Sequence, residues 1–141
     1  MDPAASRVGT KRRVNHVSRQ RWPQRIGWIA LAVVSGGIMV FGIVIAIAPM
    51  GPDELLYRAD GLASIGLGLL GGLLALIPYR RRERWAWIAL WFYPVFWTIH
   101  LVAGLPPGKD HIHQVAFIAL SLLGLLLPVR AFFPQSRTAV R

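Results

Sequence analysis

Apolar positions along this chain do not alternate with polar ones. They run in four long blocks separated by short polar connections. The first block covers 26–48, about 23 residues without a charged side chain. A helix of that length, rising 1.5 Å per residue, exceeds the ~30 Å hydrocarbon core of a bilayer. The second covers 61–77, with Asp60 the expected N-cap and Pro78 the expected stop. The third covers 85–103 and carries Pro94 near its middle, where a missing N–H predicts a kink. The fourth covers 112–127, with Asp110 expected to cap its start and Pro128 to end it. The segments from Met50 to Glu54 and from Pro106 to Gly108 read as turns. The pattern predicts an all-α, polytopic membrane protein: an antiparallel bundle of four transmembrane helices.

Composition moves the same way. The chain is 55% hydrophobic and 16% charged, against about a quarter charged for a soluble domain. Lipid is the solvent that accommodates so much apolar surface. The basic start, the apolar run and the Ala46-Ile47-Ala48 triplet mimic a secretory signal, but such apolar cores run to about 7–15 residues. The first block is longer, and three more follow, so it reads as a retained helix. With no cysteine, the chain offers neither a disulfide nor a thiolate site.

Charge then orients the blocks. Residues 1–25 read as a flexible basic arm and 134–141 as a short basic tail. Arm, second connection and tail together hold fourteen basic residues against Asp2 and Glu83. The other two connections hold Arg58 and Lys109 against Asp53, Glu54, Asp60 and Asp110. The balances are +12 and −2, which account for the net +10. Such asymmetry over short loops places the basic side inside, so both termini are expected in the cytoplasm of a bacterial cell, with the helices in its inner membrane. Trp22, Trp28, Tyr79, Trp85 and Trp87 are expected at that head-group level. Lys11, Arg12, Arg13, Arg80, Arg81, Arg82 and Arg84 are the expected contacts to anionic lipid of the inner leaflet. Basic residues flanking apolar blocks point to lipid rather than nucleic acid.

Within the blocks, Ser64, Gly68 and Gly72 fall four apart on one face of the second helix, with Gly71 and Ala75 widening it. Small residues at that spacing let two backbones approach closely. The face fits either a homodimer seam or a neighbouring helix of the same chain; the latter is the ordinary case, with Gly42 and Ala46 as its counterpart. The third block is bulky and aromatic, from Trp85 to Trp97. Large side chains beside small ones explain it by packing. A ring-lined pocket is the sharper alternative.

Candidate chemistry is sparse. No Asp, Glu, Lys or Arg lies inside the four blocks, which counts against ion pumps and proton-coupled transporters. His100, near the outer end of the third block, and His111 with His113, at the start of the fourth, can meet across a short connection. With Asp110 they are competent for Zn²⁺ or Cu²⁺, and a His pair can bracket haem iron. Against this, positions two apart on a helix point nearly opposite ways. Ser35, Ser64, Thr98 and Ser121 have helix carbonyls as default partners and no adjacent base. No catalytic constellation emerges, so no enzyme and no obligatory cofactor is expected.

The run from Tyr79 through Arg80-Arg81-Arg82-Glu83-Arg84 to Trp91, entering an aromatic helix after a glycine-rich one, resembles small four-span bacterial membrane proteins loosely grouped as DoxX-like. The resemblance implies a compact antiparallel four-helix bundle and carries no catalytic residue. The expected role is a non-catalytic accessory or membrane-organising protein that binds lipid, another membrane protein or itself. The alternative is a metal- or haem-binding redox or sensor protein using His100, His111 and His113.

Overall fold

The computed structural model describes residues 3–49, 51–104 and 111–133, with side chains from Trp22 onward. The chain is all-helical. Helix α1 spans Pro3–Ile47, α2 Glu54–Leu74, α3 Arg84–Leu90, α4 Phe92–Ala103, α5 Ile112–Leu126 and α6 Val129–Phe132. Three segments are long and apolar enough to cross a membrane: Trp22–Ile47, Glu54–Tyr79 and Arg84–Ala103. The fourth, α5, has 15 residues and so extends only about 22 Å, short of the hydrocarbon thickness.

Helix α1 takes in the segment expected as a free arm. An apolar helix that has already met its nucleation cost can extend into flanking polar residues one hydrogen bond at a time. The second helix starts seven residues earlier than expected, at Glu54 instead of Gly61. Asp53, not Asp60, is its cap: the Asp53 carboxylate accepts from the Leu56 N–H at 3.1 Å. Glu54 in the first turn favours the positive helix end, and it pairs with Arg58 one turn on at 3.8 Å. Pro78, the expected stop, lies one residue before the end of the helical run at Tyr79. The backbone widens into a π turn over Ala75–Tyr79, which takes up the missing proline N–H just before the helix ends.

The interruption in the third span falls at Trp91, between α3 and α4. Pro94 has no N–H for the Leu90 carbonyl, so the regular ladder fails one turn before the ring. Trp91 bonds back only three residues, to Ile88, at 3.2 Å. Gly104, at φ +61, ends α4 in the left-handed conformation that glycine adopts without penalty. The expected Asp110 cap and the Pro106–Gly108 turn lie outside the described residues.

Packing follows the distribution of small residues. Going up α1 and down α2, the close contacts run Ser35 and Met39 to Gly68, then Gly42 and Ala46 to Gly61. The two helices are therefore antiparallel. Helix α5 lies antiparallel to α1 as well, with Gly124 against Gly27, Phe117 against Gly37 and His113 against Phe41. Between these helices sits one core of Leu31, Val34, Ile38, Tyr79, Leu90, Tyr93, Trp97, Leu125 and Phe132. The outer faces carry Ile29, Val33, Val40, Leu62, Leu69, Ile88, Val95 and Ile99, all exposed. Apolar patches of that extent are far larger than water-facing monomers show.

Candidate functional site

The turn from the π segment into α3 is Arg80-Arg81-Arg82-Glu83. Arg82 has φ +62, the one non-glycine residue with positive φ among the described residues. Holding an L-residue there costs about 1–2 kcal/mol, offset by a helix C-cap in which the Arg82 N–H donates to the Tyr79 carbonyl at 2.9 Å and the Glu83 N–H to the Pro78 carbonyl at 3.1 Å. Gln24 of α1 braces the same turn from two sides. Its Nε2 donates to the Arg80 carbonyl at 2.8 Å, and its Oε1 accepts from Arg82 Nε at 2.6 Å. The Arg80 guanidinium lies 4.9 Å above the Trp28 ring, a cation–π contact that holds its plane against α1.

The result is a cleft of about 310 Å³ lined by Gln24, Arg25, Trp28, Arg80 and Arg82. A neighbouring cleft of about 410 Å³ is lined by Leu76, Ile77, Arg80 and Arg81. Arg80 is common to both. The one acid of the turn, Glu83, accepts a hydrogen bond from Trp85 Nε1. Among the described residues the one ion pair is Glu54 with Arg58, at the opposite end of α2. The guanidinium charge of this turn is therefore not offset by an ion pair among them.

Arg84 is placed differently from the other arginines of the turn. Its Nε donates to the Phe132 carbonyl at 3.1 Å and its guanidinium lies 5.5 Å from the Phe133 ring. It ties α3 to α6. The side chains of Lys11, Arg12 and Arg13 lie outside the described residues. Of the aromatic residues expected at the head-group level, Trp22 and Trp85 are exposed, whereas Tyr79 is fully buried.

The histidines lie at the other end of the bundle. His100 packs on Phe96 and Trp97, with ring centroids at 4.7 and 5.6 Å. His113 stacks on Phe41 at 5.7 Å and meets the edge of Trp97 at 6.1 Å. His111 instead turns its Nδ1 to Gln114 Oε1, at 3.0 Å. The rings are thus spread around Trp97 and the first turn of α5 rather than converging on one point. No group of three or more His, Cys, Asp or Glu side chains among the described residues is placed to hold a metal ion. The two-residue spacing of His111 and His113 on a helix is the physical reason they find different partners.

Of the four serine and threonine hydroxyls inside the apolar helices, three behave as expected in an apolar surround. Ser35, Thr98 and Ser121 donate to the carbonyls of Leu31, Pro94 and Phe117, four residues back, at 2.7, 2.6 and 2.6 Å. Ser64 makes no such bond. Pro94, expected as the kink, is buried at the start of α4, three residues beyond the interruption at Trp91. Gly72 of the expected small-residue face has only an ordinary contact, 3.7 Å to Ser35 Cβ, while its neighbour Gly71 lies directly against the Tyr93 hydroxyl.

Sequence reading missed Gln24, Gln114 and the two buried tyrosines. For the glutamines a signal was present, since an amide inside or beside an apolar block demands a partner. Nothing marked which tyrosine would turn inward. Compared with family models, curated proteins and solved structures, the chain matches none.

Proposed function

We propose that this is a non-catalytic, membrane-organising protein that holds the head group of an anionic lipid at the Gln24–Arg80–Arg82 turn. The observation that carries the reading is a cleft lined by Arg25, Arg80 and Arg82, whose positive charge has no ion pair among the described residues, with the Arg82 side chain held by Gln24. A basic cleft at the end of membrane-crossing helices suits a phosphate-bearing head group, which guanidinium groups bind through paired N–H donors. Trp28 beside it offers an amphipathic ring at the same depth.

The same charge asymmetry supports a threading with both termini in the cytoplasm and the arginine turn on the inner leaflet of a bacterial inner membrane. Exposed apolar faces on three crossing-length helices support lipid as the surround. Nothing among the described polar side chains supplies a nucleophile with a base.

Native mass spectrometry of the full chain, with phosphatidylglycerol and phosphatidylcholine of matched tails, tests the site. Phosphatidylglycerol is expected to be retained several-fold better. An Arg80→Ala/Arg82→Ala double variant is expected to lose that preference, while Arg58→Ala at the other end keeps it. Equal retention of the two lipids, or a preference untouched by the double variant, would overturn the reading.

A further inference from the structure

Two clefts open on the arginine turn, and they share a wall. The one on the α1 side is lined by Gln24, Arg25, Trp28, Arg80 and Arg82. The other is lined by Leu76, Ile77, Arg80 and Arg81. Arg80 is the common member, with its guanidinium seated on the Trp28 ring. A lipid with one phosphate fills the first cleft alone. The second, with an arginine of its own, is left over.

Charge decides how much anion the pair of clefts can take. Arg25, Arg80, Arg81 and Arg82 are all exposed, and none of them is in an ion pair among the described residues. The turn has one acid, Glu83, so four positive charges against one negative leave +3. A single phosphodiester offsets one of those charges, and a second beside Arg81 offsets another. When both belong to one molecule, the second binds at a high effective concentration and pays no further translational entropy.

The second cleft also points to a lipid rather than a soluble diphosphate. Leu76 and Ile77, from the π turn, are 43% and 48% exposed, and they line it together with two arginines. Apolar side chains beside an anion site gain from covering by acyl chains, which a soluble diphosphate lacks. On the strength of the anionic-lipid reading of the first cleft, we propose that the two clefts together bind one lipid carrying two phosphodiesters on a shared glycerol, the chemistry of cardiolipin. One phosphodiester lies on the side of Arg25 and Arg82, the other on the side of Arg81, and Arg80 serves both. Leu76 and Ile77 take the acyl chains next to the second.

Native mass spectrometry of the full chain, with cardiolipin, phosphatidylglycerol and phosphatidylcholine of matched tails, tests this. One cardiolipin per chain is expected, retained about tenfold better than phosphatidylglycerol. Arg81→Ala is expected to remove most of that ratio. Its side chain is exposed and has no hydrogen bond or ion pair among the described residues, so the variant folds. Arg130→Ala, which takes the same charge from exposed α6 at the same end, is expected to leave the ratio in place. An equal fall in both variants would mean attraction by bulk charge and would overturn the proposal. So would displacement of cardiolipin by its deacylated head group as readily as by cardiolipin itself, because the site would then recognise phosphates without chains. Cardiolipin and phosphatidylglycerol retained equally, both above phosphatidylcholine, would overturn the two-phosphate proposal and leave the single-phosphate reading standing. Neither retained above phosphatidylcholine would overturn both.

Discussion

Gly42 of α1 and Gly61 of α2 face each other with no room for a methyl group on either. A Cβ at Gly42 would lie 2.6 Å from the Gly61 carbonyl oxygen, and one at Gly61 would lie 2.7 Å from the Gly42 carbonyl oxygen. Seven residues further along α2, a Cβ at Gly68 would meet Met39 N and Ser35 O, both at 2.7 Å. Those neighbours are backbone atoms and cannot step aside. By contrast, Gly36 and Gly66 have nothing within 4 Å.

Alanine substitution is therefore expected to split the glycines into two groups. Gly42→Ala, Gly61→Ala and Gly68→Ala each force α1 and α2 apart, at a cost of about 1–3 kcal/mol. Gly36→Ala and Gly66→Ala gain helix propensity, about 0.5–1 kcal/mol. Thermal unfolding in detergent checks the signs. Equal effects at all five positions would mean that the α1–α2 approach is not as close as described.

The close contact at Gly68 falls on the four-residue run of Ser64, Gly68 and Gly72, but the other close contact, Gly61, lies outside that run and Gly72 has only an ordinary one. The all-helical fold and the positions of its apolar helices were legible from the apolar blocks. The start of α2 was not, because Asp53 and Asp60 are equally good caps and only the Glu54–Arg58 pair and the first-turn charge favour the earlier one. The π turn at Ala75–Tyr79 was hidden for a related reason: a proline signals a lost bond, not whether the helix stops or widens. Arg82 could not be read at all. Its left-handed backbone closes the helix that ends at Tyr79, with Arg82 N–H on the Tyr79 carbonyl and Glu83 N–H on the Pro78 carbonyl, but an arginine stands where glycine would signal such a cap.

Tyr79 donates to the Gly124 carbonyl at 2.5 Å, and that carbonyl needs a donor for a specific reason. Its helical partner would be the N–H of residue 128, which is proline. Trp87 Nε1 does the same for the Leu125 carbonyl, at 2.9 Å. Tyr79→Phe leaves a buried acceptor unpaired and is expected to cost about 1–3 kcal/mol. In a Pro128→Ala background the backbone can supply the donor, so the same substitution should cost less. A double-mutant cycle by unfolding measures the difference, and strict additivity would break the link between the two residues.

Arg82 offers a separation of stability from binding. Arg82→Gly removes the left-handed penalty and is expected to stabilise the chain by about 1 kcal/mol while weakening anionic-lipid retention. Gln24→Ala is expected to do the reverse to the turn: the strain stays and its two restraints go, so both stability and retention fall. Unfolding and native mass spectrometry on the same preparations check the pair. If Arg82→Gly destabilised the protein, the turn would not be holding strain.

Pro94 decides where the third span breaks. With no N–H at that position the Leu90 carbonyl loses its partner, and α3 ends at Leu90 while α4 begins at Phe92. Pro94→Ala restores the donor and is expected to fuse α3 and α4 into one helix of crossing length. The gain of one hydrogen bond, about 1 kcal/mol, is opposed by the loss of ring contacts at a buried position, so overall stability should change little. The sensitive quantity is local. Amide exchange at the substituted position should be slow, because the new N–H is tied to the Leu90 carbonyl inside the bundle. Fast exchange there would show that the aromatic packing of Trp91 and Phe92, and not the proline, sets the interruption.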